Sequence, residues 1–114
     1  IPMAFTVTSE SKNGIAKFTL VGELDAAAAG EFKAAIEQAA ASQPKRVVLM
    51  MNELTYMASA GLRTLVFAKQ KMGANVDIYV IGVQEAVRET IEMTGFHHSV
   101  IMLDTYDAAE IESV

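Results

Sequence analysis

Two short apolar runs, KRVVLMM at 45–51 and VDIYVIG at 76–82, are each followed by a stretch whose apolar residues recur every three or four positions. Runs of this length suit strands buried on both faces, and the following period suits amphipathic helices. A helix between two strands is long enough to carry the chain from one parallel neighbour to the next. This alternation points to an α/β sheet rather than a helical bundle or a β-sandwich.

The remaining segments extend the same pattern. FTVTSESKNGIAKFTLVG holds two alternating stretches around Asn13-Gly14, a pair that takes the positive φ angles of a tight hairpin, so strands are expected at 5–9 and 15–21. Ala29, Phe32, Ile36 and Ala39 fall at helical steps, with Asp25 as N-cap and Pro44 beyond the end. Leu62, Leu65, Val66, Ala68 and Met72 form the stripe of a second helix, and Val83, Val87, Ile91 and Thr94 that of a third, stopped by Gly95. SVIMLD at 99–104 reads as the last strand, and the following residues as a short helix capped by Asp104. The expected order is β-β-α-β-α-β-α-β-α: a mixed, largely parallel sheet with an antiparallel edge hairpin.

A length of 114 residues suits one domain with one core, taken as 3–114 with Met3 as the expected start after Ile1 and Pro2. About half of the chain, 52%, is hydrophobic, which is too apolar for disorder. No apolar run reaches the roughly 18 residues of a membrane span and no basic-then-apolar leader opens the sequence, so the expectation is a soluble, non-secreted, cytoplasmic protein without membrane insertion. With no cysteine, thiolate metal sites, disulfides and a cysteine nucleophile are excluded. The net charge of −5 with dispersed basic residues does not make a nucleic-acid footprint.

The segment TYMASAGLRTL, 55–65, places Ser59 among small residues just before the second helix. One reading makes Ser59 the helix N-cap, typically worth about 1 kcal/mol. The other makes it a phosphorylation site whose small neighbours Ala58, Ala60 and Gly61 let another protein's active site approach. A phosphoryl group adds about −1.5 to −2 charges, and a helix N-terminus favours such an anion by roughly 0.3–1 kcal/mol. The same charge pressed without a cation into a desolvated contact costs several kcal/mol. Modification would thus eject a partner and leave the fold standing.

Taken together, VGELDAAAAGEF, RVVLMMNELTYMASAGLRTL and VQEAVRETIEMTGFHHSVIMLDTYDAAE resemble bacterial anti-sigma factor antagonists of the STAS domain family, over nearly the whole chain from about Phe5. The resemblance implies helices packed mainly on one side of a mixed sheet. It further implies binding to an anti-sigma factor with serine kinase activity, release of the sigma factor, inactivation by phosphorylation at the position of Ser59, and reversal by a metal-dependent serine phosphatase. Glu23 and Asp25 of GELD then belong to the partner-binding segment, although Asp25 as a helix cap and Glu23 as a solvated charge account for them equally. One departure is clear: the family commonly carries aspartate before the serine, and this chain has Ala58.

Phe67 falls off the apolar stripe, either packed under a neighbouring element or on a binding surface, and Arg63 and Thr64 are expected at the partner's edge. Met57 could serve the core or the partner. His97 and His98, adjacent on what reads as an extended segment, make a poor metal pair. Ser59 lacks a histidine base and a Gly-x-Ser-x-Gly elbow, and no glycine-rich phosphate loop occurs, so no enzyme, catalytic residue, metal or cofactor is expected. The expected state is a monomer or weak homodimer. Two alternatives stay open: an interaction subunit of a lipid-transport or signalling assembly without phospho-switching, and a small-ligand module.

Overall fold

The computed structural model describes residues 4–113; the expected start at Met3 lies outside the described residues. Strand β1 (Thr6–Lys12) and β2 (Ile15–Leu24) form the hairpin, followed by α1 (Ala26–Ala40), β3 (Arg46–Met57), α2 (Ser59–Met72), β4 (Asp77–Ile81), α3 (Glu85–Met93), β5 (Ile101–Leu103) and α4 (Ala108–Ile111). The hairpin turns through Asn13 and Gly14, with φ of 54° and 81°, and brings Lys12 opposite Ile15. Those angles let the two-residue loop follow the twist of its strands, which carries β1 to Lys12 rather than the expected Ser9.

The strands lie in the order β1-β2-β3-β4-β5, antiparallel at the hairpin and parallel elsewhere. Parallel crossovers are right-handed almost without exception, so three crossovers stepping the same way place their helices on one face. The main core follows: Phe18, Leu20, Leu49, Met51 and Val80 of the sheet pack on Phe32 and Ile36 of α1, Leu65 of α2, and Val87 and Ile91 of α3. Phe18 and Phe32 meet edge to face at 6.4 Å. The opposite face holds a smaller cluster of Ile15, Val48, Tyr79 and Ile81, covered by Ile111 of α4.

Several boundaries differ from the sequence expectation. Strand β3 continues through Met57, because two register shifts against β2, between Thr19 and Val21 and between Gly22 and Glu23, break the simple alternation. In the first turn of α1 the buried alanine is Ala28 and not Ala29, while Ala39 is buried as expected. Val66 is exposed while Gly61 and Thr64 are buried, so the inward stripe of α2 is rotated from the expected one. Thr94 is the exposed C-cap of α3 rather than part of its inner face. The last helix is capped by Asp107, whose carboxylate accepts from the Glu110 N–H at 3.2 Å, and not by Asp104. His97 and His98 lie in a 3-10 turn with ring centroids 3.9 Å apart, so their segment is not extended.

Candidate functional site

The carboxyl ends of β2 and β3 finish side by side, with Glu23 in register with Tyr56 and Leu24 with Met57. The chain then turns away from both, and the Ala58 N–H donates to the Leu24 carbonyl at 2.9 Å, tying the start of α2 to the corner before α1. Asp25 holds the other side of that corner: its Oδ1 accepts from the Ala28 N–H at 2.8 Å and caps α1. The rim formed in this way carries Glu23, Asp25, Ala58 and Ser59 on adjoining turns.

Ser59 is exposed. It is the first residue of α2 and not the N-cap; that position belongs to Ala58, at φ −79° and ψ 167°, which has no side-chain oxygen to offer. The expected capping bond is therefore not formed, and the first-turn N–H groups receive no side-chain acceptor. No acidic residue occupies the first turn, and Lys69 and Lys71 stand in the last. An anion on the Ser59 hydroxyl would thus meet the positive end of a 14-residue helix.

Gly61 explains how α2 can start so close to its neighbour. A Cβ on Gly61 would lie 2.7 Å from Leu24 Cγ and 3.2 Å from the Leu24 carbonyl oxygen, so only glycine permits this approach. Gly61 and Leu24 are both buried.

Three residues expected at a partner's surface lie inside the domain. Met57 is 3% exposed and joins the main core. Gly61 is enclosed by Leu24. Thr64, 6% exposed, satisfies its hydroxyl by donating to the Ala60 carbonyl at 3.1 Å. These residues shape the surface from below and offer a partner no area. Phe67 is half-buried against the core, with Lys33 Nζ of α1 4.9 Å from its ring centroid, which fits the packing alternative. Glu23, Ala58 and Ala60 are half-buried, while Asp25 and Arg63 are exposed.

Two apolar side chains near the rim are exposed against expectation: Tyr56, which the sequence did not single out, and Val66, which was expected on the inward stripe of α2. Tyr56 is 48% exposed beside Glu23, and Val66 is 37% exposed. Val66 follows Ser59 by seven residues, about two helical turns, so Ser59, Arg63 and Val66 share the outward side of α2. That spacing was the available signal for Val66. No spacing rule marks Tyr56, because the register shifts precede it.

Among the described residues, no group of three or more histidine, aspartate or glutamate side chains is placed to hold a metal ion, and no helix is long and apolar enough to cross a membrane.

A mixed sheet thus carries three helices on one face and an exposed serine at the head of the helix after its central strand. The family model of the STAS domain matches residues 6–109, and the chain belongs to that family. It is 27% identical over 104 residues to the anti-sigma-F factor antagonist RsfB of Mycobacterium tuberculosis, covering 91% of this chain and 85% of that protein. Its fold matches the crystal structure of an anti-sigma factor antagonist from Mycobacterium paratuberculosis with a TM-score of 0.87, at 23% identity and 96% coverage of both chains. The Bacillus cell fate determinant SpoIIAA, solved in its phosphorylated form, matches with a TM-score of 0.71 at 19% identity, covering 96% of this chain and 97% of that one.

Proposed function

We propose that this domain is an anti-sigma factor antagonist, switched off by phosphorylation at Ser59. The observation that carries the reading is the exposed Ser59 hydroxyl at the uncapped head of α2, beside the Glu23–Asp25 corner. The similarity to RsfB supports the class of partner, and the existence of SpoIIAA in a phosphorylated form supports the switch.

In this reading an anti-sigma factor covers the rim and the outward side of α2, thereby releasing its sigma factor. Acting also as a serine kinase, it transfers the phosphoryl group of ATP to Ser59 Oγ; the hydroxyl proton is released and ADP leaves. The added charge of about −2 is tolerated by the free helix head but not in a desolvated contact, where burying it unpaired costs several kcal/mol. Ala58 removes one carboxylate that would otherwise stand beside the phosphate. A metal-dependent serine phosphatase resets the switch in the cytoplasm.

The test uses the chain with its cognate anti-sigma factor and ATP. One added phosphate by mass, lost in Ser59→Ala, together with loss of complex on phosphorylation, is the expected result. A phosphate that persists in Ser59→Ala, or a complex unaffected by Ser59→Asp, would refute the reading.

A further inference from the structure

The face of the sheet opposite the three crossover helices carries a docking groove that the chain fills with its own last residues. Its floor is Ile15, Val48, Tyr79 and Ile81, none more than 8% exposed; the fully buried Ile111 is pressed into it as the main anchor, and the half-buried Tyr106 packs beside it. The anchor belongs to a helix of only four residues, too short to hold its shape without the surface beneath it.

A cation latches this segment from the rim. Arg46 Nη1 donates to the carbonyl of Glu110, to the carbonyl of Ile111 at 3.0 Å and to Ser113 Oγ at 3.1 Å. At the other edge, Lys17 Nζ stands 4.8 Å from the centroid of the Tyr106 ring, whose hydroxyl donates to Glu112 Oε2 at 2.6 Å. The segment 105–113 carries Asp107, Glu110 and Glu112 and no basic residue. Its receiving surface presents Arg46 and Lys17, with Glu10 as the opposing carboxylate in the cleft of about 570 Å³ between hairpin and segment. An acidic strand of chain, anchored by Ile111 and supported by Tyr106, is thus held on an apolar floor with a cationic rim.

We propose that Thr105–Ser113 is an exchangeable strap: it leaves the second face as one unit, and the strap of a second copy takes its place through the same contacts. The connection that must reopen, at Asp104 and Thr105, is exposed, and every contact described above can be supplied in trans. Exchange of an identical segment between copies needs no new interface, which is why it is a low-cost route to a dimer. The second copy is the occupant because its segment is the one whose charge and anchor are seen to fit. The proposal is independent of the switch at Ser59, which lies at the carboxyl end of β3, whereas Arg46 opens that strand.

Hydrogen exchange on the full chain tests the opening. Amides of 105–113 are expected to exchange well ahead of Val47 and Leu49, and Arg46→Gln to speed them about tenfold while leaving those core amides unchanged. Exchange of the segment only together with the core would overturn the proposal. Complementation tests the exchange: Arg46→Glu keeps a strap but loses the latch, and Ile111→Asp keeps the latch but loses the anchor. Mixed at millimolar concentration, the two are expected to sediment as a dimer that neither forms alone, with the Ile15 and Tyr79 amides of the Ile111→Asp chain returning to their wild-type NMR positions. Ile111→Ser replaces Ile111→Asp should the latter not fold. A mixture that stays monomeric would refute exchange between copies.

Discussion

Substituting alanine at Gly30 and at Gly61 sets helix propensity against close packing. Both glycines lie in helices, and neither has a positive φ, so alanine gains roughly 1 kcal/mol at each from reduced backbone freedom. At Gly30 the new methyl meets nothing within 4 Å and the full gain is expected. At Gly61 it would stand 2.7 Å and 2.9 Å from Cγ and Cδ2 of Leu24, which is fully buried and cannot swing aside. Overpacking of this kind costs about 1–3 kcal/mol, leaving a net loss of roughly 0–2 kcal/mol. For 114 residues at about 2.1 cal/mol/K each, the unfolding entropy is near 0.24 kcal/mol/K. Gly30→Ala should therefore raise Tm by about 4 °C, and Gly61→Ala should leave it unchanged or lower it by up to about 8 °C. Differential scanning calorimetry of both variants decides the matter. If Gly61→Ala stabilises as much as Gly30→Ala does, Leu24 yields freely and close approach does not explain the glycine.

Ala58→Asp supplies the side-chain acceptor that α2 lacks, and should add about 1 kcal/mol of stability by urea denaturation. Asp25→Ala removes the bond to the Ala28 N–H and should cost about 1 kcal/mol in the same assay, even if it leaves affinity for a partner unchanged. The Tyr106 phenol is pushed up to about 12, first by its hydrogen bond to Glu112, then by burial and by the charges of Glu112 and Glu10. Folding favours its neutral form, so the associated stabilisation is present below the ordinary tyrosine value of about 10 and is lost as pH rises from there towards 12. Alkaline absorbance titration should show two late-ionising tyrosines, Tyr106 and the buried Tyr79, and Tyr106→Phe should lose one of them.

How much of this was legible depended on how locally each feature is encoded. Asn13-Gly14 announced the hairpin because the pair takes positive φ at little cost, and Asp25 announced α1 because a cap lies next to the helix it serves. The alternation of strands and helices could be read from spacing along the chain and the family from the resemblance of three stretches, whereas the order of the strands in the sheet left no local mark. The length of β3 could not, since its two register shifts place Met51, Leu54 and Met57 in the main core at intervals of three instead of two. Thr64 looked like surface because its type is polar; its hydroxyl is satisfied by the carbonyl one helical turn back, which makes burial inexpensive. Choosing between Asp104 and Asp107 as a cap required knowing where Ile111 docks. The latch of Arg46 on the last residues spans more than sixty positions and left no periodic trace.

Chain order and sheet order coincide in this protein, so every strand after the first pairs with the one made immediately before it. During synthesis each emerging strand meets a finished edge and never waits for a distant partner, which limits the time that sticky backbone stays unmatched on the ribosome. The exception is the second face: Ile15 and Val48 are made well before Ile111 and stay uncapped until it clears the exit tunnel.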